Sequence, residues 1–148
     1  MMKIIKLGII SVIAFSLLLT AMSLLFPSQV RVSRAINISG SREDIRKIIR
    51  DVKNWPQWNV LYNDKVKVDI ISSDSEMIHS RWQYRNNILN SSFRTEESAN
   101  ITVVQWYFDF KVKWYPWQKL GTMLFDKEFG TPMETSLHNL KKLMENSP

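Results

Sequence analysis

The sequence predicts an α+β domain preceded by an apolar amino-terminal segment. Three observations support this: an uncharged run near the amino terminus, a series of stretches that alternate apolar and polar residues, and a helical apolar stripe at the carboxyl end. The chain has 148 residues, 45% of them hydrophobic and 23% charged, which is ordinary for one domain with a buried core. We therefore divide it into an anchor, residues 1–27, and a domain, residues 28–148.

The anchor is the clearest local signal. Leu7–Phe26 carries no charge, over the roughly 20 residues that a helix needs to cross the hydrocarbon core. Lys3 and Lys6 precede it and favour a cytoplasmic amino terminus, with the domain on the non-cytoplasmic side. The alternative is a signal peptide cleaved near residues 21–23, but the apolar run is longer than such peptides usually have. We favour an uncleaved single-pass anchor that ends before Pro27.

The domain opens with a strand and a short helix. Residues 30–39 alternate, and Arg34 interrupts their apolar face as a strand-end or snorkelling side chain, or as a buried charge for a ligand. Ser41 and Asp44 then resemble a helix capping pair. One face of the helix has an apolar stripe, made of Ile45, Ile48, Ile49 and Val52. The opposite face is predicted to be solvated and holds Glu43, Arg46, Lys47, Arg50 and Asp51.

Four more strands are predicted, at residues 65–71, 76–85, 87–96 and 100–112, separated by polar turns. Their inward side chains are expected to be Val66, Val68, Ile70, Ile78, Ser80, Trp82, Tyr84, Leu89, Phe93, Thr102, Val104, Trp106, Phe108, Phe110 and Val112. His79 and Asp109 fall on the wetter face, where Asp109 is expected to have a cross-strand partner.

The carboxyl end is predicted to be helical. A short helix can follow Pro116, and a longer one covers Thr131–Asn146. Thr131 has the position of a cap, and Glu134 that of the capping-box acid. The stripe that should face the sheet consists of Met133, Leu137, Leu140 and Met144.

The heptapeptide at 53–59, KNWPQWN, places Trp55 and Trp58 around Pro56. Paired tryptophans can form a platform for a ligand or a nucleobase. Their position between the first helix and the sheet instead favours a structural role, with the rings plugging the junction.

The order of elements, together with three segments, resembles the START-like superfamily, which includes birch pollen allergen, polyketide cyclases and lipid-transfer domains. The segments are VRVSRAINISGSREDIRKIIRDVKNWPQWN, NITVVQWYFDF and FDKEFGTPMETSLHNLKKLME. The resemblance implies a helix-grip fold, in which a curved antiparallel sheet wraps around a long C-terminal helix. The family normally has six strands after its opening helices, whereas four are placed here, so neither the size nor the presence of a cavity follows from the resemblance.

The residues predict little catalytic chemistry. The chain has no cysteine, and its two histidines, His79 and His138, have no convergent partners at metal-ligand spacing. We therefore expect no metal and no cofactor. The net charge of +6 comes from scattered bases, so a solvated basic surface is favoured over a nucleic-acid site.

The resemblance implies a non-catalytic binder of a hydrophobic small molecule or lipid, monomeric and tethered to the membrane through Leu7–Phe26. Candidate ligand-binding residues are Arg34, Trp58, Trp82, Tyr84, Trp106, Phe108 and Leu137. The first alternative is a polyketide cyclase or dehydratase-like enzyme, with His79 as base or Tyr84 as acid pointing inward. The second is a ligand-free interaction domain on a membrane tether.

Overall fold

The computed structural model describes residues 1–25, 28–113 and 115–146. Phe26 and Pro27, where we predicted the end of the anchor, lie outside the described residues. The helices are α1 (Met2–Leu25), α2 (Arg42–Arg50), a 3₁₀ helix (Val52–Gln57), α3 (Pro116–Gly121), α4 (Met123–Phe125), a π-helix (Asp126–Gly130) and α5 (Thr131–Glu145). The strands are β1 (Gln29–Ser39), β2 (Val66–Ser73), β3 (Met77–Tyr84), β4 (Asn87–Ser98) and β5 (Ile101–Lys111). This order confirms the predicted α+β class.

The five strands form one antiparallel sheet in the order β1-β5-β4-β3-β2. Gln29 pairs with Lys111 at one end of β1, and Ser39 pairs with Ile101 at the other. Because α1 immediately precedes Gln29, we call the first end the anchor end and the second the far end. Val66, Tyr84 and Asn87 also lie at the anchor end, since β2, β3 and β4 pair there.

The inner face of the sheet packs against α5, and the predicted alternation of faces is confirmed. Met133, Leu137 and Leu140 of α5 are buried, and Met144 packs on them from the edge. Apolar residues of β1, α2, the 3₁₀ helix and the strands complete the core: Val32, Ile38, Ile45, Ile49, Trp55, Trp58, Val66, Ile78, Trp82, Phe93, Val104, Trp106, Phe108 and Phe110.

Trp55 and Trp58 are structural, as the sequence predicted. Both are fully buried, and their ring centroids lie 5.5 Å apart. Trp55 donates its indole N–H to the carbonyl of Ile49 at 2.9 Å, which ties the 3₁₀ helix to α2. Trp58 packs edge-on against Phe93 and Trp106 of the sheet. The pair therefore fixes α2 onto the inner face.

Arg46 corrects the prediction of a wholly solvated face on α2. Its side chain is buried and donates to the hydroxyls of Thr95 at 3.0 Å and Ser73 at 2.9 Å, and to the carbonyl of Asp74. The helical period placed Arg46 correctly on the face opposite most of the stripe. The curl of the sheet, which brings β2 and β4 around α2, buries it.

Thr131 also corrects a prediction, because it does not cap α5. Its backbone is helical, and so is that of Gly130 before it. The π-helix runs directly into α5, so the first amides of α5 already follow helical residues and Glu134 forms no capping box. At α2 the prediction is confirmed: the Ser41 hydroxyl accepts from the Asp44 N–H at 3.4 Å.

Helix α1 stands apart from this core. It is long and apolar enough to cross a membrane, and its most apolar stretch is exposed, while Ser23 near its carboxyl end is buried. Membrane spans and amino-terminal signal sequences share these properties. The carboxyl end of α1 contacts α3, so the helix joins the domain at its anchor end.

Candidate functional site

An apolar cleft of about 210 Å³ opens at the anchor end, between the sheet and the π-helix. Three strands supply Val66, Trp82, Tyr84 and Leu89, the loop after the 3₁₀ helix supplies Val60, Leu61 and Asn63, and the π-helix supplies Glu128 and Phe129. We call this the end cleft. Its walls are mostly aliphatic and aromatic, and its few polar groups are those of Asn63, Tyr84 and Glu128, which is the usual composition of a site for an apolar molecule.

Local sequence explains how the cleft forms. Trp82 and Tyr84 are two residues apart on β3, so both point inward. Phe125 and Phe129 are four residues apart in helical structure and therefore share a face, which packs on Phe110 with ring centroids 4.6 and 4.8 Å away. This contact holds the π-helix against β5 and leaves the neighbouring space over β3 and β4 open.

The structure places some of the predicted ligand-binding residues in the end cleft and others in the packed core. Trp82 and Tyr84 line the end cleft, where Trp82 is 3% exposed and Tyr84 is 38% exposed. Trp58, Trp106, Phe108 and Leu137 are brought together with Trp82, but in a closely packed core. Phe93 and Trp106 stack at 4.9 Å, and Trp82 meets Phe108 at 5.1 Å. Ligand contact stays a prediction for all of them, and the cleft favours Trp82 and Tyr84.

Arg34 lies apart from the other predicted residues. It points inward from β1 as expected, but its guanidinium pairs with the carboxylate of Asp126 at 2.8 Å. The side chain lies against Gly130, where a β-carbon would come within 2.8 Å of the Arg34 Cζ atom. Arg34 therefore fastens the π-helix to β1, beside the cleft and not within its lining.

Sequence reasoning missed the wall of the cleft that is not part of the sheet. Val60 and Leu61 follow a turn and have no periodic partner, so nothing in their spacing marked them. A signal did exist for Phe129, because Phe125 and Phe129 form an apolar pair at helical spacing.

A second, larger recess of about 380 Å³ lies on the outer face of the sheet. Arg31 donates to both carboxylate oxygens of Asp109, at 2.6 and 3.1 Å, and stacks over the Tyr107 ring. The hydrogen bond to Asp109 raises the pKa of Arg31. Asp109 thus has the cross-strand partner that the sequence predicted, and it is Arg31. Because these groups satisfy one another, the recess resembles a polar surface ladder more than a binding site.

The histidines do not face the end cleft. His79 points to the outer face, where its Nδ1 atom lies 2.8 Å from the Ser92 hydroxyl. His138 is exposed on α5 and bonds the carbonyl of Glu134 at 2.9 Å. Among the residues that the structure describes, no three His, Asp or Glu side chains converge as metal ligands would.

Solved structures that resemble the domain include CalU16, norcoclaurine synthase and DynU16. CalU16 from Micromonospora echinospora superposes with a TM-score of 0.58 and 13% identity, over 81% of this chain and 84% of its own. The truncated norcoclaurine synthase from Thalictrum flavum superposes with a TM-score of 0.62 and 9% identity, over 81% of this chain and 96% of its own. The chain has the helix-grip fold.

DynU16, from the dynemicin biosynthetic locus, shares this helix-grip fold with a TM-score of 0.58 and 12% identity, over 81% of this chain and 48% of its own. No protein-family model matches the chain, and no curated protein matches it in sequence. The predicted START-like resemblance is therefore confirmed as a fold. At these identities the likeness does not transfer activity or site residues.

Proposed function

We propose that this protein is a membrane-anchored, non-catalytic binding domain that holds the apolar part of a lipid or hydrophobic small molecule in the end cleft. The observation that carries the proposal is the composition of that cleft, with Trp82, Leu89 and Phe129 as apolar walls and few polar groups. Helix α1 supports it, because a membrane concentrates apolar molecules beside the domain.

The size of the cleft limits what it can hold. Its volume of about 210 Å³ is below the roughly 300–1,000 Å³ of typical small-molecule sites. The core behind it is filled by Trp58, Trp106 and Phe108, all at most 1% exposed. We therefore expect part of a molecule to enter, such as a segment of an acyl chain, while its polar remainder stays outside near Asn63 and Glu128.

The enzyme alternative has weaker support. Norcoclaurine synthase is an enzyme on this fold. In the present chain, however, the candidate acid Tyr84 and the candidate base His79 lie on different faces of the sheet. Tyr84 lines the end cleft, whereas His79 is on the opposite face of the sheet. An acid and a base acting on one substrate must reach the same bound molecule.

Photo-crosslinking tests the proposal. The full chain is placed in nanodiscs whose phospholipid carries a diazirine on its acyl chain, irradiated, digested and analysed by peptide mass spectrometry. We expect lipid adducts on the cleft residues Trp82 and Leu89 as well as on α1. Adducts confined to α1, in a chain that melts normally, would contradict lipid binding in the cleft.

A matched pair of variants locates the binding. Leu89→Trp fills the cleft with an indole ring and should remove the adduct on Trp82. Ile101→Trp adds the same kind of bulk at the exposed far end and should leave that adduct unchanged. Equal losses in both variants would show that the adducts do not report on the cleft.

A further inference from the structure

Exposed apolar side chains lie at the anchor end of the domain, and two of them border the end cleft. Val60, Tyr84, Ile88, Trp117 and Leu124 are between 38% and 69% exposed, and we call them the anchor-end face. Val60 and Tyr84 form the rim of the cleft, and Ile88, which pairs with Gln83 at the start of β4, is exposed on the outer face of the same end. Large exposed apolar groups gathered at one end of a domain mark a surface that meets something apolar.

The elements that carry this face form a continuous path from the anchor to the cleft. Helix α1 contacts α3, α3 contacts α4, and α4 contacts the π-helix that supplies Glu128 and Phe129 to the cleft. Trp117 belongs to α3 and Leu124 to α4. The exposed apolar residues therefore continue the apolar surface of α1 onto the domain.

The tether between α1 and the sheet is too short to lift the domain away from a membrane. Helix α1 ends at Leu25 and β1 begins at Gln29. Four residue steps reach at most about 14 Å even when fully extended. If α1 spans a bilayer, the anchor end of the sheet must lie next to the lipid headgroups.

The chemistry of this end matches the interfacial layer of a bilayer. The Tyr115 and Trp117 rings stack at 5.1 Å, and tyrosine and tryptophan are the residues enriched where headgroups meet hydrocarbon. At this end the exposed basic residues outnumber the exposed acidic residues Asp64, Asp126 and Glu128. The basic residues are Lys65, Arg85, Lys111, Lys113 and Lys127. Such residues are attracted to anionic headgroups.

We propose that the anchor-end face lies in the interfacial layer of the bilayer that α1 spans, so that the end cleft opens directly onto lipid. The inference rests on one part of the proposed function, the retention of α1 as a membrane span. It adds that an apolar ligand passes between bilayer and cleft without crossing water. Trp117 and Leu124 are the residues inserted beside α1.

The absence of cysteine from the chain permits a direct test. Single variants Trp117→Cys, Leu124→Cys and Ile88→Cys are labelled with an NBD fluorophore in nanodiscs of phosphatidylcholine and phosphatidylglycerol. We expect blue-shifted emission that is quenched when the nanodiscs contain lipid with a doxyl group high on its acyl chain. Intact mass confirms that α1 is retained.

Ile101→Cys is the matched control, because Ile101 is also an exposed apolar residue but lies at the far end. Its label should emit as in water and escape quenching. Water-like, unquenched emission from both Trp117→Cys and Leu124→Cys would overturn the proposal. All five residues of the anchor-end face are at least partly exposed, so these changes should not unfold the domain.

A double variant, Trp117→Glu with Leu124→Glu, tests whether the face holds the domain down. With the label at Ile88→Cys, it should reverse the quenching while α1 stays in the bilayer. Unchanged quenching would show that the short tether alone sets the position and that the face contributes nothing. This readout differs from that of the proposed function: docking can fail while lipid adducts persist in the cleft, or docking can occur with the cleft empty.

Discussion

The two ends of the sheet are closed in different ways. At the far end, α2 covers the inner face, Arg46 bonds to β2 and β4, and Thr102 donates to the carbonyl of Gly40 at 2.8 Å. At the anchor end, the π-helix covers only β1 and β5, and the end cleft remains over β3 and β4. The far end therefore has Arg46 and Thr102 bonded inside it, whereas the anchor end keeps an open apolar cleft.

This difference indicates that different residues of one small domain set its stability and carry its proposed binding. The far end holds the buried arginine, and the packed core behind the cleft holds Trp55 and Trp58, so substitutions in either place should act on the free energy of unfolding. The anchor end holds the cleft and the exposed apolar face, so substitutions there should act on binding and on membrane position. The proposed binding surface thus lies on the side of the domain where α1 joins.

The largest expected effect is that of Trp58→Ala. Trp58 is 1% exposed and contacts Trp55, Phe93 and Trp106. Emptying such a site should cost about 3–5 kcal/mol of unfolding free energy, measured by urea denaturation of the full chain in detergent micelles.

Trp117→Ala is the control for that change, because Trp117 is 69% exposed. It should alter the unfolding free energy by less than about 0.5 kcal/mol. If Trp58→Ala had the same unfolding free energy as the control but lost its lipid adducts, Trp58 would belong to the binding surface. The proposed division between residues for stability and residues for binding would then be wrong.

Arg46→Met should have the next largest effect. The change removes three hydrogen bonds and leaves the buried Thr95 hydroxyl without its donor, which should cost about 1–3 kcal/mol. Burial also lowers the pKa of Arg46, as expected for a cation enclosed with neutral acceptors.

The matched control is Arg50→Met, on the same helix. Arg50 pairs with Glu43 at the surface, and its loss should cost under about 1 kcal/mol in the same denaturation experiment. An Arg46→Met chain as stable as the wild type would mean that the arginine does not hold the far end closed.

The smallest effect is expected from Gly130→Ala, at the edge of the cleft. A β-carbon at Gly130 would press on the Arg34 guanidinium and disturb its pair with Asp126. Alanine otherwise improves a helix by up to about 1 kcal/mol over glycine. The substitution should therefore stabilise an Arg34→Ala chain but not the wild type.

A double-mutant cycle measures this coupling, with thermal melting followed by near-UV circular dichroism. We expect Gly130→Ala and Arg34→Ala to be non-additive by about 0.5–1.5 kcal/mol. Additive effects would show that Arg34 moves aside freely and does not fasten the π-helix.

Local sequence patterns are enough to place the elements of this protein and the faces that they bury. Period-two alternation marked every strand, and the stripe from Met133 to Leu140 marked the side of α5 that meets the sheet, because local periodicity decides which side chains are buried together. The Ser41 cap of α2 and the structural role of the two tryptophans in KNWPQWN were also readable, since both depend on neighbours in the chain.

The position of the open space follows from contacts between distant parts of the chain. Helical period alone predicts a solvated Arg46, because it cannot show that β2 and β4 curl around α2. The sequence likewise predicts a cap at Thr131, because the π-helix before it leaves no local signal. The end cleft depends on how far the π-helix reaches across the sheet, which is set by the packing of Phe125 and Phe129 on Phe110 and by the Arg34–Asp126 pair. These contacts join residues far apart in the chain, so no local pattern specifies them.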